Sequence, residues 1–519
     1  MPLINSILMQ KPLGTVISTD DSPTTLKYAF VLDEGSPVKK GQFIQTTSEE
    51  GIVFGYVSEI TRANRYFERA ESVAEYEREN PISTHFPIKS WEYAIAEVRV
   101  LGRMEKRGEH YFQSRVSLPP SPGTKVIEAD ETLLKDFVGF VPNGLMLGKL
   151  QNHEVEAKID MTRLFQKHLA ILAMSGAGKS HLASVMLEEL LDRPKEHGRV
   201  ATVIIDIHGE YSGFKQDPTY GRKIRVINGK DITIPFRRLN SRMLSSWFSV
   251  PPAGQNELNK LLREMRTQEK NERQLFSVND LIKRVETSSI SKNIKDALMR
   301  PLYELRSINL ITQSKENPKL RQQVLPGEML VLDLSDLDDM RKKKVIVSYI
   351  ADRLFRLRAK NEIPPTFFLV EEAHNFAPEK AKAAHNPSKS IIEKIAREGR
   401  KFGLALGVVS QRPVNLSTTT LSQCNTHILL RVTNPNDLKH IEESAEGIDS
   451  RMARSITSLK VGEGIIVGEA VRYPIFVEIR DRKSRKIEKG RPLHEQAIAY
   501  ESEAKKSDEE QDEELEAFL

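Results

Sequence analysis

A single cysteine, Cys424, stands in 519 residues. One thiol cannot form an internal disulfide or a cysteine-based zinc site, so redox chemistry is excluded and a lone buried thiol is expected. The sequence also lacks any run of the roughly 18 to 20 apolar residues that a membrane span needs, and it opens without the charged stretch and apolar core of a secretory leader. These absences imply a cytoplasmic chain with no membrane partner. Tryptophan is nearly missing, and Trp91 and Trp247 read as core or interface anchors. There is no short-period repeat, which excludes solenoid and propeller arrays.

What is present describes a globular protein: 39% hydrophobic and 29% charged residues over a length that predicts two or three domains. The net charge of +5 is unevenly spread. From Glu501 to the end nine acidic residues face only Lys505 and Lys506, so this tail carries −7 and the remainder +12. A basic body suits a polyanionic partner. The tail, DEEQDEELEAFL, either ends in a short helix with Leu515, Phe518 and Leu519 on one apolar side, bracing a neighbouring subunit, or stays disordered.

Residues 1–125 read as a small antiparallel β-barrel. Segments such as GTVIST, KYAFVLD, GQFIQTT, IVFGYVSEI and YAIAEVRVLGRM alternate apolar and polar positions between turn formers, with a charged excursion from Tyr66 to Lys89. Pro119, Pro120 and Pro122 punctuate the end of this unit. An α/β core is then expected in two parts, 126–237 and 326–482, from buried apolar strands each followed by a helix: HLAILAM, VATVIIDI, EMLVLDL, TFFLVEE, LALGVVSQ and THILLRV. Helical periodicity in ELNKLLREMRT and NIKDALMRPLYELRSI predicts a helical-bundle insertion over 238–325. Residues 483–519 form a C-terminal extension.

The segment ILAMSGAGKSHLASVMLEELL carries the strongest chemical signal. A buried strand, a small-residue loop and a helix opening at Lys179 are the order a phosphate-binding loop requires, because backbone N–H groups curl around phosphates at the helix's positive end. Ser175, Gly176, Ala177, Gly178 and His181 complete the cradle around ATP. Lys179 pairs with the β and γ phosphates and Ser180 holds Mg2+. Ala173 replaces the first glycine of the usual pattern.

FFLVEEAH ends a second strand on adjacent carboxylates: Glu371 is assigned to the metal through water and Glu372 to polarising the attacking water. VIIDIHGEY adds Asp206 and Glu210 in supporting roles. In AREGRKFGLALGVVSQRP, Gln411 at a strand tip, after Ser410 and before Arg412, suits a γ-phosphate sensor. Arg397, Arg400 and Lys401 are candidate fingers reaching a neighbouring subunit's phosphate. Lys380, Lys382 and Lys389, in a segment without aromatics, are candidates for touching DNA phosphates without reading bases. His168, His374 and His427 lack ligand spacing and read as packing or hydrogen-bonding residues.

Five segments in this order, KHLAILAMSGAGKS, IIDIHGEY, FFLVEEAHNFAPE, AREGRKFGLALGVVSQRP and LSQCNTHILLRVTNPND, resemble the HerA family of prokaryotic, above all archaeal, DNA motors in the HerA and FtsK branch of RecA-like ATPases. The preceding barrel resembles the HAS barrel. The resemblance implies a RecA-like core and a homohexamer that encircles double-stranded DNA and pumps it, with a NurA-type nuclease docked on the barrel, in end resection at double-strand breaks. It also implies an arginine before the His-Leu-Ala run, facing a neighbouring nucleotide; here that residue is Lys167, which keeps the charge and loses the planar fork. A ring also follows from physics, since a finger comes from outside its own site and a motor on a duplex needs several grips in sequence. Two other readings remain: an ATP-regulated ring scaffold for an effector enzyme in a defence complex, and a secretion or conjugation ATPase.

Overall fold

The computed structural model describes residues 11–64, 92–108, 110–248, 250–380, 386–445, 447–448, 450–485 and 493–501. The excursion at 66–89, Trp91, Lys382 and the tail beyond 501 lie outside the described residues.

The N-terminal alternation folds into strands β1 (Gly14–Ile17), β2 (Lys27–Leu32), β3 (Phe43–Ser48), β4 (Gly51–Asn64), β5 (Glu92–Arg107), β6 (His110–Ser114) and β7 (Lys125–Glu128). Their order is β2-β1-β7-β3-β4-β5-β6, and β2 also pairs with β5, so six antiparallel strands close on themselves and β6 hangs on β5 as a hairpin partner. Closure removes the free edges. Val16, Tyr28, Phe30, Ile44, Val57, Val98 and Val126 fill the interior. Phe43, Phe54 and Met104 belong instead to the core of the following domain. There Phe54 stacks on Phe137 at 4.5 Å and Phe137 on Tyr473 at 4.8 Å. His153 accepts the Phe43 N–H at 2.9 Å, and burial holds its imidazole down to about 4, so it stays a neutral acceptor. The barrel is fastened to the core by stacked rings and one buried imidazole.

The core continues with β8 (Leu145–Leu150), β9 (Glu156–Ile159), β10 (Leu169–Leu172), β11 (Ala201–Asp206), β12 (Ile224–Asn228), β13 (Ile234–Pro235) and β14 (Ile311–Thr312). It closes with β15 (Met329–Asp333), β16 (Thr366–Val370), β17 (Leu404–Ser410), β18 (Thr426–Leu429), β19 (Glu463–Gly468) and β20 (Ile475–Ile479). Eleven of these form one sheet, β12-β15-β11-β16-β17-β10-β18-β19-β20-β8-β9. Pairing is parallel from β12 to β18 and antiparallel from β18 to β9. The six apolar runs read from the sequence are β10, β11 and β15 to β18, each buried on both faces as parallel strands are.

Between β13 and β14 lie helices Ser241–Phe248, Pro252–Glu272, Val278–Thr287 and Lys292–Ser307. Ser277 and Asp280 cap the third reciprocally. The buried Trp247 indole donates to Ser348 Oγ at 3.0 Å, pinning the bundle to helix Met340–Ala359. Cys424 is buried, its thiol pushed up to about 12 by desolvation.

The helix that opens at Lys179 runs to Asp192 and is gripped from one side. Glu188, fully buried, accepts from the Arg480 guanidinium at 2.8 Å, the Ser484 N–H at 2.8 Å, its hydroxyl at 2.6 Å and the Lys483 N–H at 3.1 Å. Arg480 also meets Glu189 at 2.8 Å and the Met146 carbonyl at 3.1 Å. Removing Glu188 leaves two N–H groups and a hydroxyl without their acceptor in a dry site and takes one of the two carboxylates from Arg480. Glu188→Ala is therefore expected to lower stability by about 3 kcal/mol, read as a shifted denaturation midpoint at constant slope; an unmoved midpoint would show that residues 480–485 merely lie on the helix.

Candidate active site

The phosphate-binding loop begins as an extension of the sheet. Leu172 is in register with Ser410 and with Leu429, and the Ala173 and Met174 N–H groups still bond across, to the Ser410 carbonyl at 3.2 Å and the Arg431 carbonyl at 2.9 Å. Ala173 is fully buried. The chain then turns through Gly176 (φ 77°) and Gly178 (φ 99°), left-handed conformations that glycine adopts without a Cβ penalty. Helix Lys179–Asp192 starts with no side-chain cap, so its first N–H groups are left for an anion, where the helix's positive end adds to the attraction. His181 is engaged elsewhere, its Nε2 within 2.9 Å of the Arg480 carbonyl oxygen.

Two strands away, the Glu371 N–H donates to the Ile205 carbonyl at 3.1 Å, prolonging the β16 to β11 pairing by one residue. Glu372 then takes φ 44°, an uncommon backbone for a residue with a Cβ, and the two adjacent carboxylates part company. Glu371 turns to Asp206 and Glu210, which hydrogen-bond it. Asp206, fully buried, accepts the Glu210 N–H at 3.0 Å and the Tyr211 N–H at 2.9 Å and sits in register with Asp333 on β15. Burial, then the charges of Asp206 and Glu210, push Glu371 well above the ordinary carboxylate range. Burial likewise raises Asp206, with the two N–H bonds opposing. Ligand-free, Glu371 and Asp206 hold protons that ordinary carboxylates shed.

Glu372 is raised by burial, offset by the Lys179 charge, the Gln411 N–H and His208. His374 Nδ1 lies 3.3 Å from Glu372 Oε2 and 3.1 Å from Ser410 Oγ; burial, with Arg412 and Lys179 nearby, keeps it neutral at about 4. Glu371 Oε2 and Glu372 Oε2 are buried with no hydrogen-bond partner among the described residues. Buried carboxylate oxygens require a donor, a water or a cation, and an uncapped helix end requires an anion. The residues therefore fit a nucleotide phosphate with Mg2+: loop N–H groups and Lys179 for the phosphates, Ser180 and Glu371 for the ion.

The remaining expected residues divide. Arg397, Arg400, Lys401 and Arg412 are exposed at the end of helix Lys389–Glu398 and in the segments that follow it. His168, at φ 67°, accepts the Leu406 N–H at 2.9 Å and reaches back to backbone at Ala396 and Ile395, so it fixes the arginine-bearing segment to β10 and β17. Burial keeps it neutral, at about 4, with Arg400 contributing. His427 is buried in β18. Lys167 is ion-paired with Glu469 of the same chain. Lys389 donates to the Glu379 carbonyl at 2.8 Å and is held in cis, whereas Lys380 is exposed beside Lys344, His374 and Glu379. Sequence reasoning missed Asp333, the partner of Asp206, although it too closes an apolar strand, and it gave Ser410 and His374 no part in placing Glu372.

For an acid whose folded pKa is raised, the folded state binds the extra proton, so stability is fullest at low pH and falls as pH rises from the ordinary value of 4.5 through the raised folded value. Glu371→Gln is expected to flatten that fall and to stabilise the nucleotide-free protein above it. Identical denaturation-midpoint profiles against pH for wild type and variant would sink this account of the cluster.

A family model described as Helicase HerA, central domain, matches residues 145–354, which span β8 to most of helix Met340–Ala359. The DNA double-strand break repair helicase HerA of Pyrococcus furiosus is 28% identical over 524 residues, covering 88% of this chain and 90% of that one. The protein of the same name from Saccharolobus solfataricus is 27% identical, with the same two coverages. Among solved structures, VirB4 of Thermoanaerobacter pseudethanolicus superposes with a TM-score of 0.54 at 17% identity, over 66% of this chain and 98% of that one, a likeness of fold. Among the described residues no helix is long and apolar enough to cross a membrane. The chain matches the HerA central-domain model on a core with a nucleotide loop and its acidic pair, is similar to HerA proteins over most of its length, and is a P-loop ATPase.

Proposed function

We propose that this ATPase is a DNA translocase or helicase that works as a homohexameric ring on double-stranded DNA, in end resection at double-strand breaks, with a NurA-type nuclease on the N-terminal barrel. The observation that carries the hydrolytic part is the convergence of Lys179, Glu372 and Gln411 at adjoining strand ends, with buried oxygens of Glu371 and Glu372 unpartnered. The names of the relatives from Pyrococcus furiosus and Saccharolobus solfataricus support DNA as the substrate. Exposed arginines at 397 and 400 support a ring, because a guanidinium at the surface serves a phosphate held by a neighbour.

ATP supplies a phosphoanhydride whose cleavage drives movement. Lys179 and the loop N–H groups hold its phosphates, Ser180 and Glu371 hold Mg2+, and Asp206 and Glu210 orient Glu371. Glu372, its basicity raised by burial and its direction fixed by the Gln411 N–H and His374, polarises the attacking water. Gln411 at the tip of β17 senses the γ-phosphate.

Lys179→Ala is expected to abolish nucleotide binding, while Glu372→Gln binds and does not turn over; equal nucleotide affinity in wild type and Lys179→Ala would overturn the assignment. The steady-state ATPase rate is expected to rise with linear duplex DNA in a particle whose light-scattering mass is about six chains. A rate indifferent to DNA but responsive to a bound protein would favour a scaffold. Mixing Arg397→Ala or Arg400→Ala subunits with Glu372→Gln subunits is expected to recover activity at interfaces where intact halves meet, and absence of rescue for both would rule out either arginine as the finger.

A further inference from the structure

Away from the nucleotide site, the helical insertion and helix Met340–Ala359 enclose an open cleft of about 570 Å³ that is lined chiefly by arginine. Its composition follows from helical spacing. Asn256, Asn259, Arg263 and Arg266 recur every three or four residues along Pro252–Glu272, and along Met340–Ala359 Tyr349 is followed four residues on by Arg353 and Asp352 by Arg356, so one face of each helix forms a wall. The turn ahead of Ser241–Phe248 supplies Arg237, Arg238 and Arg242 as a third side.

Seven guanidiniums meet few carboxylates. Arg238 and Arg353 share Glu316 beneath the cleft, at 3.4 and 3.8 Å, Asp352 pairs with Arg356 at 2.6 Å, and Glu269 acts on Arg266. Seven cations against these three anions leave a net of +4. Arg237, Arg242 and Arg263 lie exposed on the rim. The Nε atoms of Arg238 and Arg353 are buried with no hydrogen-bond partner among the described residues. Guanidiniums gathered in excess of carboxylates, with three of them exposed on the rim, call for an external oxyanion. No ring is offered for stacking: Tyr349, the one aromatic in the lining, is buried with its hydroxyl donating to Glu316 at 3.2 Å.

We propose that this cleft seats the phosphodiester backbone of double-stranded DNA. The inference rests on the proposed DNA substrate and adds where the duplex is held. Open shape, amides among guanidiniums and no stacking ring suit backbone phosphates and carry no base recognition. The cleft is also joined to the nucleotide machinery. The same turns of helix Met340–Ala359 that bear Arg353 and Arg356 also carry Phe355 and Arg358, which meet Phe402 by ring contact at 5.3 Å and by a hydrogen bond to its carbonyl at 2.8 Å, in the segment that bears Arg400.

The test is fluorescence anisotropy of a labelled duplex on the full-length protein at several salt concentrations, for wild type, the double variant Arg242→Glu/Arg263→Glu, its lysine counterpart, and Arg222→Glu, an exposed charge elsewhere. The double glutamate variant is expected to lose about tenfold or more in affinity and to flatten the slope of log K against log salt by about two. Lysines are expected to restore most of the affinity, Arg222→Glu to change nothing, and basal ATPase without DNA to persist while its stimulation by DNA is lost. If wild type binds duplex and the double variant binds it equally well, the cleft assignment falls and the functional reading stands. If wild type binds no duplex, both fall. A double variant that loses its assembled mass by light scattering but keeps affinity would make the cleft a contact between copies. Preference for single strands, or competition by inorganic tripolyphosphate that the variants abolish without affecting duplex binding, would also overturn the proposal.

Discussion

Parallel pairing in unbroken register across the middle of the sheet is the constraint on which the site depends. Leu172 lies opposite Ser410, Val370 opposite Val408 and Ile205, and Asp206 opposite Asp333. Because all five strands run the same way, their apolar runs end at one edge, and the first polar residue beyond each run is delivered to the same place. The nucleotide loop, Gln411, the acidic pair and Asp206 are thus neighbours in space although together they span more than two hundred positions of the chain. Ligands of open α/β sheets gather at such an edge for this reason.

That convergence has an electrostatic consequence. Asp206, Asp333, Glu371 and Glu372 are all buried near one another, and Lys179, His208 and a few N–H groups oppose their mutual repulsion. Burial first, and in the dry edge that repulsion as well, holds protons on Glu371 and Asp206, and carboxylate oxygens of Glu371 and Glu372 are left short of partners. A cation and a polyphosphate carry the charges that relieve both defects at once. The instability of the ligand-free edge and its readiness to accept a nucleotide with a divalent cation have one cause.

A second set of contacts ties the loop to the far side of the sheet and to the barrel. Arg480 joins Glu188 and Glu189 of the loop's helix to Met146 at the start of β8, and the Met146 N–H returns to Glu189 at 3.0 Å. From the same antiparallel edge, Tyr473 and Phe137 stack toward Phe54 of the barrel. Nucleotide loop, antiparallel edge and barrel are linked through buried ion pairs and stacked rings.

The sequence by itself determined the local chemistry: buried strands from continuous apolar runs, the loop from its small residues and GKS, carboxylates at strand ends, and alternation in the barrel. These are properties of neighbouring residues, so spacing reveals them. Tertiary structure decided which distant groups meet. The four-residue β7 that closes the barrel, the pairing of Asp206 with Asp333, the rotation that sends Glu371 and Glu372 opposite ways, the cis partners of Lys167 and Lys389, and the arginine cleft all depend on registers and crossings that no short window encodes. Seven arginines spread from 237 to 356 look like ordinary solvated charge until two helix faces and a turn enclose them.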